Sequence, residues 1–132
     1  HLVVLATGAV AREAQAAVAE LLGRGLDVAF AVAACLAPAP EEDLVDLLTG
    51  ARPGLPALPV LPVLTVEAHG LLAGLGSLVC EVVAERGLAC RVARVAVASD
   101  HSGLTGGEAY LNRRHGLDRA GIVRRALELV HP

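Results

Sequence analysis

Residues 67–77, EAHGLLAGLGS, bring an acid, an imidazole, a glycine-rich turn and a hydroxyl into one short stretch. Glu67 and His69 are of the types that move protons, contact anions or hydrogen-bond across an interface. Gly74-Leu75-Gly76-Ser77 leads straight into a helical pattern. Glycines at such a place let backbone N–H groups converge on an anion, with the helix dipole assisting. They equally permit a tight turn and close helix–sheet packing. The spacing completes neither GxGxxG nor GxxxxGK[ST]. The stretch therefore reads as a strand-to-helix corner, with Glu67, His69, Gly74, Gly76 and Ser77 as candidate anion or interface contacts. No catalytic residue is assigned, because no second reacting group accompanies the acid and the imidazole.

The other polar motifs carry less chemistry. Asp100-His101-Ser102 has the residue types of a hydrolytic triad, yet the chain has no GxSxG elbow to strain a nucleophile, so a solvated loop is expected. Cys35, Cys80 and Cys90 are odd in number and lack CxxC spacing, which argues against a disulfide framework or a zinc site. All three lie in apolar stretches, where a buried, inert thiol is the expected state. There is no HExxH and no carboxylate-rich loop, so no metal site is assigned. His115 stands beside Gly116 at a helix end, and Arg113, Arg114, Arg119, Arg124 and Arg125 make the C-terminal third locally basic. Solvated helix faces account for such charges, and a docking surface for an acidic partner is the alternative.

These groups must be held by elements that the apolar pattern outlines. Four largely apolar runs, at 3–6, 28–35, 63–66 and 92–98, read as strands, and the one at 28–35 lacks alternation, as a strand covered on both faces does. Helical patterns lie between and after them. Val10, Ala14, Ala17, Val18 and Leu21 form one stripe, and Leu44, Leu47 and Leu48 another. Leu75, Leu78, Val79, Val82 and Val83 form a third, and Ile122, Val123, Ala126, Leu127 and Val130 the last. A short helical piece over 108–114 stops at Gly116, and Asp118 caps the final helix. Residues 52–62, with four prolines, read as an extended connection rather than a central strand. Strands alternating with helices predict an α/β fold of three layers, α/β/α, with a mostly parallel sheet of four or five strands.

Composition narrows the function classes. The chain has 132 residues, enough for one domain spanning 1–132 with its own core, and 55% of them are hydrophobic. A formal charge of −3 with 2% aromatic residues excludes an electrostatic or stacking footprint for nucleic acid. No apolar run reaches the roughly 18–20 residues of a membrane span. The opening HLVVLATGAVA lacks a basic region, so a signal peptide is not read there, and a cytoplasmic setting is expected. The absence of methionine and the start at His1 point to a processed chain, a tag remnant or a fragment.

Four segments then occur in a characteristic order: VVLATGAVAREA at 3–14, AP-EEDLVDLL at 39–48, LTVEAHGLLAGLGSLVCEVV at 64–83 and HGLDRAGIVRRALEL at 115–129. Together they resemble the C-terminal domain of the transketolase family, especially the C-terminal section of split transketolases. The likeness covers almost the whole chain, with the V-E-x-H strand end followed by G-x-G-S as its most specific part. The sequence departs from the family pattern at Ala73, where a second glycine is usual, and at Ala68, where glutamate is common. The resemblance implies a sheet order 2-1-3-4, and a fifth, antiparallel edge strand that this chain lacks. Right-handed crossovers then place the helices at 40–49 and 75–86 on one face and those at 10–23 and 118–130 on the other. It also implies that thiamine diphosphate and Mg²⁺ bind in partner domains absent here, so no cofactor is expected in this chain.

The expected function is a non-catalytic C-terminal domain or subunit of a thiamine-diphosphate-dependent transferase, serving assembly, dimerisation and regulation. A homodimer or the N-terminal transketolase section is the expected partner, reached through residues 67–77 or the 28–34 strand edge. Two alternatives are the C-terminal domain of a 2-oxo acid dehydrogenase β-subunit and a stand-alone flavodoxin-like module binding a small anion. On none of these readings does the transketolase-type chemistry reside in the isolated chain.

Overall fold

A computed structural model describes residues 1–49, 60–98, 103 and 105–131. Its elements run β1 (Leu2–Thr7), α1 (Ala11–Gly23), β2 (Val28–Val32), α2 (Glu41–Leu48), β3 (Leu61–Gly70), α3 (Leu75–Glu85), β4 (Cys90–Val97), α4 (Glu108–His115) and α5 (Arg119–Val130). Among the described residues the sheet has four strands in the order β2-β1-β3-β4, and every pairing is parallel. The predicted α/β class and strand order both hold.

Strand alternation sorts the core into two layers. On β1, Leu2, Val4 and Ala6 face α1 and α5, while Val3 and Leu5 face α2 and α3. All six residues of β1 are buried, because an inner parallel strand has helices on both faces. Leu64 and Val66 of β3 join the α1/α5 layer, and Leu61 and Val63 join the α2/α3 layer. By the same period of two, Thr65 and Glu67 point toward the layer that holds α3. The expected assignment of helices to faces is the one observed.

Three boundaries differ from the sequence reading, each for a local reason. The second strand ends at Val32 rather than Cys35. The Thr7 hydroxyl donates to the Ala33 carbonyl at 2.8 Å, closing the β1–β2 ladder there. The third strand starts at Leu61, so Leu61 and Pro62 belong to the sheet and not to the proline-rich connection. Pro62 pairs only with Arg91 of β4, and the β1 ladder begins one residue later at Val63, so its missing N–H leaves no β1 bond unmade. The same strand continues past Val66 through Glu67 and His69 to Gly70, with an irregularity against β4 between Val66 and Gly70. Cys35 is exposed, contrary to the expectation of a buried thiol, because the chain has already left the sheet at that point. Cys80 and Cys90 are partly buried, and burial pushes the Cys90 thiol above its ordinary pKa. Most of the proline-rich stretch at 52–62, and Asp100-His101-Ser102, lie outside the described residues.

Candidate functional site

Strand β3 delivers Glu67 to the carboxyl end of the sheet, the usual ligand end of an open α/β fold. The Glu67 side chain is fully buried. It turns under the start of α3, where its Oε2 accepts the Leu75 N–H and its Oε1 accepts the Gly76 N–H, each at 2.8 Å. Those are two of the N–H groups that a helix start leaves without intrahelical partners. The α3 start has no capping bond from its own N-cap residue, Gly74, so the cap is supplied from across the corner. Two charge-assisted bonds and the helix dipole offset the cost of removing the carboxylate from water.

The glycine at the N-cap is required by this arrangement. A Cβ on Gly74 would run into the Glu67 carboxylate, so only a residue without a side chain lets the backbone pass so close. Ala73, just before it, holds a left-handed backbone with φ of 59°, a conformation that costs an L-residue about 1 kcal/mol. That geometry explains why a glycine would suit this position. Replacing Ala73 by glycine is expected to stabilise the fold by about 0.5–1 kcal/mol, despite glycine's greater freedom in the unfolded chain. Urea unfolding that shows a lower midpoint for this variant would refute the strain argument.

Ser77 braces the same turn. Its hydroxyl oxygen accepts the Ala73 N–H at 3.0 Å and donates to the Leu71 carbonyl at 3.3 Å. His69 stands apart from this closed set: its side chain is 65% exposed, and its Nδ1 lies 3.9 Å from Glu67 Oε2, beyond hydrogen-bond reach. The tip of the turn projects Leu72, which is 84% exposed. The five residues picked from the sequence are therefore neighbours in space. Glu67, Gly74, Gly76 and Ser77 form a closed corner, and His69 sits at its solvent edge.

Two further residues belong to this corner, and sequence reasoning missed both. Thr65 is fully buried beneath α3, with no hydrogen-bond partner for its hydroxyl among the described residues. Arg94, its register partner on β4, is half-buried and donates from Nη1 to the Leu71 carbonyl at 2.9 Å. The Arg94 stem lies against Gly76, where a Cβ would come within 2.5 Å of Cδ. The available signal was a lone arginine inside the otherwise apolar run VARVAV at 92–97.

Chemically, the corner is an occupied anion site whose anion is part of the chain. Both oxygens of Glu67 are engaged, so proton abstraction by it would require breaking the α3 cap. Among the described residues no group of three or more His, Cys, Asp or Glu side chains is placed to hold a metal ion. No helix among them is long and apolar enough to cross a membrane.

No protein-family model matches the chain. It is 28% identical over 125 residues to one of the subunits of an apulose-4-phosphate transketolase from Actinobacillus succinogenes, covering 95% of this chain and 37% of that protein. It is 34% identical over 129 residues to 1-deoxy-D-xylulose-5-phosphate synthase of Syntrophotalea carbinolica, covering 98% of this chain and 19% of the relative. Among solved structures, a split-gene transketolase described as an inactive β4 tetramer superposes with a TM-score of 0.78 at 25% identity. That match covers 98% of this chain and 39% of the other. The chain thus spans little more than a third, or less, of the relatives it matches.

Proposed function

From its likeness to the C-terminal domain of transketolase-type proteins, we propose that the chain is the C-terminal section of a thiamine-diphosphate-dependent, transketolase-like transferase, acting in assembly rather than in the chemistry. The observation that carries this reading is the buried Glu67 cap. The acid at the sheet's carboxyl end is committed to holding α3, through both of its oxygens. A metal-bridged diphosphate needs several carboxylate or amide ligands around one ion, and the described residues do not fit that requirement. The cofactor then belongs to partner domains, and no reaction step is derived through it.

The partner in this reading is the complementary N-terminal section, with self-association of the assembled protein as a dimer, in a cytoplasmic setting. Strand β2 supports it. Among the described residues this strand is paired only on its β1 side, and Val32 at its end is 51% exposed. Beside it runs a mainly apolar groove of about 490 Å³, lined by Val32, Ala33, Leu44 and Leu47 among others. An apolar strand edge of this kind is normally covered by another chain or element. His69 and the exposed Leu72 tip offer a second contact region.

The test is complementation. The isolated chain, titrated with thiamine diphosphate and Mg²⁺, is expected to show no micromolar binding and no ketol transfer from a ketose phosphate. Mixed with a complementary section that carries the cofactor-binding residues, it is expected to co-elute as one complex and to gain turnover. Binding or turnover by the isolated chain overturns the reading, as does a complementary section that is fully active alone.

A further inference from the structure

A groove of about 260 Å³ opens at the carboxyl end of β4, lined by Leu71, Arg94, His115, Arg124, Arg125 and Glu128 among others. Its charge is out of balance. Arg125 Nη1 pairs with Glu128 Oε2 at 3.1 Å, which neutralises one cation with the one lining carboxylate among the described residues. Arg94 is half-buried and, among the described residues, donates only to an uncharged carbonyl, that of Leu71. Arg124 makes no ion pair with any described residue, and its Nη2 lies near the Gly116 backbone. Two guanidinium groups from different elements thus line one concavity without a counter-charge among the described residues, beside the His115 imidazole. The chain as a whole carries a formal charge of −3, so this concentration of positive charge is not a general property of its surface.

A partly desolvated guanidinium gains most from an anion with several oxygens, which can accept from its planar fork in pairs. The position of Arg94 is set rather than free. Its stem rests on Gly76 and its Nη1 is tied to the corner, so part of the ordering cost of binding is already met. The groove is smaller than typical cofactor clefts, which run from about 300 to 1,000 Å³. That size suits a phosphate group with a small organic remainder.

We propose that this groove is an anion site taking a phosphate dianion, free or as a small phosphomonoester, between Arg94 and Arg124 with His115 as an additional hydrogen-bonding group. It is independent of the assembly role proposed above, since it draws on neither the β2 edge nor the Leu72 tip. The experiment is an NMR titration of the ¹⁵N-labelled chain with inorganic phosphate and, separately, glycerol 3-phosphate, with chloride at matched ionic strength as the control. Saturable shifts are expected at residues 115–125 and at the Arg94 Nε–H, with a dissociation constant of about 1 mM or tighter. Tighter binding of glycerol 3-phosphate than of phosphate identifies the monoester as the ligand form, and equal binding identifies the free ion. Arg124→Gln is expected to weaken binding tenfold or more without moving the urea midpoint, since Arg124 is exposed and makes no ion pair with a described residue. Arg124→Lys keeps the charge but loses the fork, and should weaken it about threefold. Arg12→Gln, on the exposed face of α1, should change nothing. Shifts that stay linear and match the chloride control, or unchanged affinity in Arg124→Gln, overturn the proposal.

Discussion

Replacing Glu67 by alanine is expected to lower the folding stability by about 3–5 kcal/mol, a large part of the 5–15 kcal/mol typical of a domain. The Leu75 and Gly76 N–H groups would lose their acceptors in a buried place, and each such loss costs about 1–3 kcal/mol. The void left by the side chain adds to this, while relief from burying a carboxylate subtracts. Glu67→Gln keeps one acceptor but turns an amide N–H₂ toward the other N–H, so about 2 kcal/mol is expected. Gly74→Ala should also destabilise, since its Cβ enters the space of the Glu67 carboxylate. The two sites must then be coupled. In the double variant Glu67→Ala/Gly74→Ala, the total loss should fall short of the sum by more than about 1 kcal/mol, because truncating the glutamate vacates the space that the new methyl needs. Urea unfolding followed by circular dichroism measures all four values. Strict additivity, or a Glu67→Ala loss below about 1 kcal/mol, would mean that the cap does not hold the corner.

The second large effect is expected at Gly121, where two influences have opposite signs. Gly121 lies in the first turn of α5, is buried, and donates its N–H to the Asp118 cap at 3.2 Å. In an exposed helix, alanine would be better than glycine by about 1 kcal/mol. Here a Cβ would collide with the carbonyl, C and Cα atoms of Gly116, the left-handed residue that ends α4 with φ of 68°. Backbone cannot rotate aside as a side chain can, so α5 would have to lift from the α4 turn. Overpacking of this kind costs about 1–3 kcal/mol or more, and Gly121→Ala should therefore destabilise by about 2–3 kcal/mol. Urea unfolding measures this too, and a stabilised variant would show that propensity wins and that the helix-to-turn contact has slack.

The layer architecture was legible because it depends on short-range pattern. The apolar run of β1 has every residue buried, and the stripe Val10, Ala14, Ala17, Val18, Leu21 is buried along its whole length. At α5 the pattern is slightly off: Leu129 is buried, whereas Leu127 and Val130 are only partly so. Asp118 acts as the expected cap, since a side-chain cap needs only its own first turn. The helix faces followed from handedness, and the strand order from the family likeness rather than from the residues themselves.

The candidate site was legible in membership and not in role. The types and order of Glu67, His69, Gly74, Gly76 and Ser77 marked a corner, but an acid before a glycine turn is compatible with a base, an anion contact or a cap. Which one it is depends on where β3 aims Glu67 relative to α3. That aim is set by strand alternation, the length of β3 and the close passage of Gly74, all properties of packing across the turn. Arg94 is hard to single out for a related reason: its importance comes from Leu71, His115 and Arg124, which belong to three other parts of the chain and meet it only in the folded groove. Cys35 likewise lies in an apolar stretch, yet it is exposed because β2 stops at Val32. What the sequence by itself determined is what neighbours along the chain can decide: element type, buried stripes, local caps and the location of the corner. The tertiary structure alone decided which buried polar groups meet, because desolvation and hydrogen-bond partners are set by contacts between residues far apart in the chain.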